Sequence, residues 1–471
     1  LIAVKSLPAL ALVLLLSLVT LCPMVAQTES GIKPGLWTGS LAIRKEIESR
    51  ADPGGDRIKA PTESSAEKDA SLQTSISLRL LDQNQGALLD IPEQSMFGYP
   101  LDQVFWTDSR LSFSFGALGP EEDLVFEGIY SVSLKAVIGT ARSKSWKGSF
   151  RISPVQEELY PGETRLQVVA GEDELPGTLL IPESSSTYPA IVILLSGSGT
   201  SDRNGNNFSV PGRSDSLALL ARALASRSVA SFRFDKRGSG EAYAMAESGL
   251  SVSLDRHIED AARIIGEFIR SGLYSRTIVV GMNEGAWIGA AALNRLKSQG
   301  LFADGLAAIA VSGERPLDLL QSSLEGLSPA LQQEASAITE AILSDRPFSQ
   351  PSEQLADFFA PQRIHWLKSW LAFDPAREFA QVEVALLLIY GAKDLQVSRP
   401  AFERLLDARP QAAARSIPSM NYALKLVKSE TENYDSFTNP AYPVPEALVD
   451  LLAAFARARP APEGSLIYVK D

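Results

Sequence analysis

The sequence predicts an α/β chain: a mostly parallel sheet with flanking helices and an inserted helical lid, preceded by a small all-β, barrel-like domain. Three observations carry this reading. Ala190-Ile191-Val192-Ile193-Leu194-Leu195 is an unbroken apolar run, the mark of a strand buried on both faces. From about Thr164 onward such runs alternate with helical segments, the rhythm of a parallel sheet covered on both sides. Between Gly31 and about Val155 the period is two instead, as in half-buried antiparallel strands.

The elements follow in order. Lys5 precedes an apolar run from Leu7 to Leu21, shorter than a membrane span, and then Pro23 and Met24-Val25-Ala26. Residues 1–26 therefore read as a secretory signal peptide. That predicts an exported chain, periplasmic or secreted, with no stable membrane span. Leu1 reads as an alternative start codon. A lipoprotein anchor on Cys22 is the weaker alternative, because Leu21 stands where a small residue is wanted, and an uncleaved anchor helix is weaker still. In the β-rich domain, residues 31–155, Leu72, Thr74, Ile76, Leu78 and Leu80 alternate with polar residues, as do Leu111, Phe113 and Phe115, and Trp146, Phe150 and Ile152 close the region. Asn84-Gln85-Gly86, Gly119-Pro120 and Gly139-Thr140 read as turns, and the charged stretch 44–71 as a solvated excursion.

The α/β domain is expected over 160–460. Its strands are 190–195, 229–234, 277–280, 306–311 and 384–390, and its helices 217–228, 253–269, 284–296 and 444–456. Residues 314–375 are helical in composition and interrupt the alternation, which places a lid there. Residues 461–471 form a tail, and no internal repeat is present.

Composition removes several function classes. Among 471 residues, 44 Lys and Arg against 56 Asp and Glu leave a net charge of −12, which disfavours nucleic acid. A single cysteine excludes a disulfide framework and Cys-based zinc sites. Two separated histidines, His257 and His365, with no clustered carboxylates predict no metal and no cofactor.

After the strand 277–280 comes Gly281-Met282-Asn283-Glu284-Gly285 and then a helix. This is the frame G-x-S-x-G of the α/β-hydrolase nucleophile elbow with its centre changed. Asn tolerates a positive φ, so the turn survives. The chemistry does not, because an amide nitrogen shares its lone pair with the carbonyl and is a very poor nucleophile. The small residues Gly197, Ser198 and Gly199 after strand 190–195 stand where the second oxyanion-hole donor belongs, and the backbone N–H of Glu284 is the first.

These stretches resemble the exported bacterial EstD-type carboxylesterases. The resemblance rests on Ser196–Asn206, Arg233-Phe234-Asp235-Lys236-Arg237-Gly238-Ser239-Gly240, the elbow, Trp370 to Pro375 and Gly391-Ala392-Lys393-Asp394-Leu395-Gln396-Val397, and a β-rich N-terminal domain accompanies it. It implies that Asp394 is the retained triad acid. It implies that the nucleophile position is Asn283, substituted. In Ser419-Met420-Asn421-Tyr422-Ala423-Leu424-Lys425, the histidine position falls on Tyr422, also substituted. A phenol with an ordinary pKa of about 10 is a poor general base at neutral pH. His257, beside Asp260 and Ala261, reads as a surface or capping residue, and His365 as a packed lid residue. Asp235, Lys236 and Arg237 read first as a buried ion-pair network, and second as support for the oxyanion loop through Asp202 and Arg203.

The leading expectation is a pseudo-hydrolase that binds a small ester-, acyl- or carboxylate-like ligand without turnover. The alternatives are an active carboxylic-ester hydrolase with a non-standard site, and an envelope scaffold that works through its N-terminal barrel. The sequence indicates no oligomeric state.

Overall fold

The computed structural model describes residues 31–45, 71–81, 86–101, 103–116, 123–183, 189–246 and 252–458. Residues 1–30 with Cys22, most of the 44–71 excursion, Asn84-Gln85, Gly119-Pro120 and the segment from 461 lie outside the described residues. The chain forms two compact units, one of Met24–Glu158 with Phe208–Gly212 and one of the remainder.

The first unit holds nine strands: β1 Gly35–Lys45, β2 Ser71–Leu80, β3 Ala87–Ile91, β4 Met96–Leu101, β5 Val104–Trp106, β6 Arg110–Phe115, β7 Leu124–Ser131, β8 Ala136–Arg142 and β9 Trp146–Pro154. Their order across the sheet is β4-β3-β2-β1-β9-β8-β7-β6-β5, and every pair is antiparallel. Reversal at each pair from β1 outward makes β4 and β5 run the same way. The chain therefore does not turn back between them. It pairs with β3 along β4 and with β6 along β5, which brings an up-and-down barrel nearly to closure. The alternating residues fill the interior, with Phe113 and Phe126 stacked at 4.3 Å between ring centroids and Phe150 edge-on to Phe126. One expected turn is not there. Gly139-Thr140 lies inside β8, where a Cβ on Gly139 would stand 2.1 Å from the Glu127 carbonyl oxygen and 2.5 Å from the Phe150 ring. The glycine is a close-approach position in a strand, not a bend.

The second unit begins with β10 Glu163–Ala170 and β11 Asp173–Leu180, which the sequence reading missed. Then come β12 Ala190–Leu195, α1 Ser216–Ala225, β13 Ala230–Phe234, α2 Leu254–Ser271, β14 Arg276–Met282, α3 Glu284–Ser298 and β15 Gly305–Ile309. Five helices are inserted next: α4 Pro316–Leu324, α5 Pro329–Leu343, α6 Glu353–Ala356, α7 Ile364–Leu371 and α8 Pro375–Ala380. The first four share their own apolar cluster, built on Leu320, Ile338, Phe359 and Leu367, whereas Phe379 of α8 joins the main sheet core. The chain continues through β16 Ala385–Gly391, α9 Arg399–Ala408, β17 Ala413–Ile417, α10 Glu430–Asp435 and α11 Glu446–Ala456.

The sheet order is β10-β11-β13-β12-β14-β15-β16-β17, parallel from β13 onward, with β11 antiparallel to both neighbours. The apolar run of β12 is explained by its two faces. Ile191, Ile193 and Leu195 join one core with α2 and α3, and Val192 and Leu194 join another with α1 and α11. Strand order reverses around β12. Functional groups of such sheets gather at this switch, outside the carboxyl ends of the strands.

Candidate active site

Four carboxyl-terminal strand ends supply the site: β12 leads to Gly197–Gly199, β14 to Asn283, β16 to Asp394 and β17 to Tyr422. At the elbow Asn283 adopts φ 49° and ψ −119°. Its backbone N–H donates to the Ile309 carbonyl at 2.9 Å, and α3 starts on the next residue. The flanking glycines are obligatory. A Cβ on Gly281 would lie 2.4 Å from Ala286, and one on Gly285 would lie 2.4 Å from the Leu195 carbonyl oxygen. The strained angle thus persists because strand, helix and neighbouring strand fix it together.

The Asn283 carboxamide is tied at both ends. Its Oδ1 accepts the Ser198 hydroxyl at 2.6 Å and the Glu284 backbone N–H at 2.8 Å. Its Nδ2 donates to the Ala310 carbonyl at 3.2 Å. Ser198 is also within hydrogen-bonding reach of Tyr422. Tyr422 stacks on Phe437 with centroids 6.1 Å apart. Burial raises its pKa above the ordinary phenol value, and the Asp394 and Glu284 charges add to this.

Asp394 accepts two backbone N–H groups through Oδ1, from Gln396 at 2.7 Å and Val397 at 2.9 Å. Its Oδ2 is buried with no hydrogen-bond partner. Burial lifts this carboxyl to about 6, against the lowering effect of the two N–H groups. The loop bearing Tyr422 is nevertheless held next to the Asp394 loop. Lys393 N–H donates to the Met420 carbonyl at 2.9 Å, Asn433 Nδ2 to the Lys393 carbonyl at 2.7 Å, and Asn421 Nδ2 to Asn433 Oδ1 at 2.9 Å. Asn421 is fully buried.

The candidate oxyanion loop rests on a buried charged platform. Arg203 pairs with Asp235 at 2.7 Å, and its backbone N–H also donates to Asp235. Asp202 accepts the Asn204 and Asn206 backbone N–H groups. Lys236 Nζ donates to the Gly197 carbonyl at 2.5 Å and lies 3.7 Å from Glu284 Oε1. Burial pushes the Lys236 ammonium pKa down and the Glu284 carboxyl pKa up. Arg237 pairs with Asp260 at 2.7 Å. The cluster is thus an ion-pair network, and it touches the loop through Arg203 and through Lys236 at Gly197, not through Asp202.

The histidines are placed differently from expectation. His257 is not at the surface. It is buried, with Nδ1 unpartnered, and lines a small cavity with Ser196, Lys236 and Asp260. Its face of α2 carries Asp260, which is buried only because Arg237 pairs with it, and that charge made the face look exposed. Burial, helped by Lys236 and Arg237, holds its pKa well below the usual imidazole range. His365 is exposed on α7. Among the described residues no group of three or more His, Cys, Asp or Glu could hold a metal ion, and no helix is long and apolar enough to cross a membrane.

Sheet order, elbow and loop together define an α/β-hydrolase-fold domain. Residues 192–421 match the model of the alpha/beta hydrolase family. No curated protein matches the chain. Similar solved structures include Est1E from Butyrivibrio proteoclasticus with ferulic acid bound, at 11% identity and TM-score 0.40, covering 55% of this chain and 90% of that one. Proline iminopeptidase of Mycobacterium smegmatis is 15% identical with TM-score 0.39, covering 63% and 98%. Brefeldin A esterase, a bacterial homologue of human hormone sensitive lipase, is 16% identical with TM-score 0.40, covering 65% and 80%.

Proposed function

We propose that this protein is a pseudo-hydrolase, which keeps the hydrolase fold and binds a small acyl- or carboxylate-like ligand without cleaving it. One observation carries the reading. The Asn283 carboxamide occupies the nucleophile position, and its own oxygen accepts the Glu284 N–H. The group that would stabilise a substrate oxyanion is thus already satisfied, and the hydroxyl beside it, that of Ser198, donates to the same amide oxygen. Tyr422, whose burial raises its pKa above the ordinary phenol value, does not supply a base. A carbonyl or carboxylate ligand would bind by taking the place of the Asn283 oxygen against Glu284 N–H and the Ser198 hydroxyl.

The test is hydrolysis of short p-nitrophenyl esters by the native chain and by Asn283→Ser/Tyr422→His. The native chain is expected to stay at background. The double variant regains a nucleophile, a base next to Asp394 and an uncapped N–H, and is expected to turn ester over above the residual level of about 10³–10⁴ over water that a site without its triad retains. Hydrolysis by the native chain well above that level overturns the reading in favour of an active esterase with a displaced nucleophile.

A further inference from the structure

Across four barrel strands, Arg151, Ile138, Ile129 and Arg110 stand side by side, because Ile138 pairs with Arg151, Ile129 with Ile138, and Arg110 with Ile129. All four are exposed, Ile129 by 62% and Ile138 by 41%. Four residues further along the strands, Arg44, Lys147 and Arg142 form a second row on the same outward face. Between the rows stands one acid, Glu127, and Arg142 holds it in an ion pair. The β7–β8 turn then projects Val132 and Leu134, 64% and 48% exposed, followed by Lys135.

This face contradicts the rest of the molecule in two ways. The chain carries a net charge of −12, yet the face is basic. An outward strand position should be polar, yet a cross-strand Ile–Ile pair lies in water between two arginines. A cluster of that kind marks an interaction surface. Its chemistry selects among anionic partners. Single-stranded nucleic acid is bound through aromatic platforms, whereas this face offers aliphatic side chains with Phe105 alone at its margin. Aliphatic groups rimmed by Arg and Lys match the boundary between phospholipid headgroups and acyl chains, where the alkyl parts enter and the cations reach phosphate.

We propose that this barrel face docks the protein on an anionic phospholipid bilayer, with Val132 and Leu134 entering the interface and Arg110 and Arg151 engaging the headgroups. The full chain is to be sedimented with vesicles of phosphatidylcholine alone and with vesicles rich in phosphatidylglycerol, at low and at moderate salt. Two variants accompany it, Val132→Ser/Leu134→Ser and Arg110→Glu/Arg151→Glu. All changes are on the exposed surface, and circular dichroism with a thermal melt verifies the fold of each.

The native chain is expected to sediment with phosphatidylglycerol vesicles, less so as salt rises, and to stay free of phosphatidylcholine. Each variant is expected to lose about tenfold in binding, the aliphatic one by lost insertion and the charge-reversed one by lost attraction. A native chain that remains in the supernatant with phosphatidylglycerol vesicles at low salt overturns the proposal. So does native-like binding by both variants. Equally tight binding to single-stranded DNA that ignores the Val132/Leu134 change also overturns it, and assigns the face to a polyanion instead.

Discussion

At the elbow the Asn283 carboxamide oxygen takes two donors and its nitrogen donates once, so the turn is held by its own side chain. The residue type at 283 was legible from the G-x-S-x-G frame, whereas Tyr422 came to notice only through the resemblance carried by Ser419–Lys425. The capping was not legible, because it depends on a rotamer and on Ser198, 85 residues away in the chain. Below the elbow, Lys236 ties the Gly197 carbonyl to the buried Glu284. Lys236→Met leaves Glu284 buried and unpaired, and is expected to cost about 3–5 kcal/mol in urea unfolding, with partial recovery in Lys236→Met/Glu284→Gln. Asp394 gives a pH signature. Its folded carboxyl titrates near 6 instead of 3.8, so the folded state binds the proton more tightly than the unfolded one. Its contribution is favourable below about pH 4 and is lost as pH rises to about 6. Two units would be about 3 kcal/mol, and partial exposure reduces this to about 1 kcal/mol. Between pH 4 and pH 7 the unfolding free energy of Asp394→Asn, from urea titrations, is expected to fall by about 1 kcal/mol less than that of the native chain.

At the scale of elements, most of the parallel sheet was readable because its central strands are apolar runs flanked by amphipathic helices, while β17, Ala413–Ile417, escaped because Arg415 and Ser416 interrupt it. Ala190–Leu195 coincides with β12, and Ser253 caps α2 by accepting the Arg256 N–H at 3.2 Å. The antiparallel β10 and β11 escaped because they carry neither a long apolar run nor a clean alternation. In the barrel, alternation located most strands. It could not disclose that β4 and β5 continue in one direction, since Gly98 and Pro100 break the pattern and β5 has only three residues. Gly139 looked like a turn because glycine usually marks one. Its place between the Glu127 carbonyl and the Phe150 ring reverses that meaning. Gly139→Val is therefore expected to destabilise the barrel by about 3 kcal/mol through overpacking, read as a lowered unfolding midpoint of the β signal in circular dichroism.

For the whole molecule, charge is the property that composition settles. With a net charge of −12 and an isoelectric point near 5.0, solubility is expected to reach its minimum close to pH 5 and to recover on either side, measured as protein left in solution after incubation across pH. Function cannot be read at this scale, because the same fold serves many chemistries and the site alone decides. Here the site has a hydrolase frame around an amide. The most direct measurement is labelling with a fluorophosphonate, which reacts with an activated serine hydroxyl, followed by intact mass and peptide mapping. The native chain is expected to take no label, and Asn283→Ser/Tyr422→His to take one label per chain at position 283. A label on the native chain, at Ser198 or elsewhere, would contradict the account by revealing a working nucleophile.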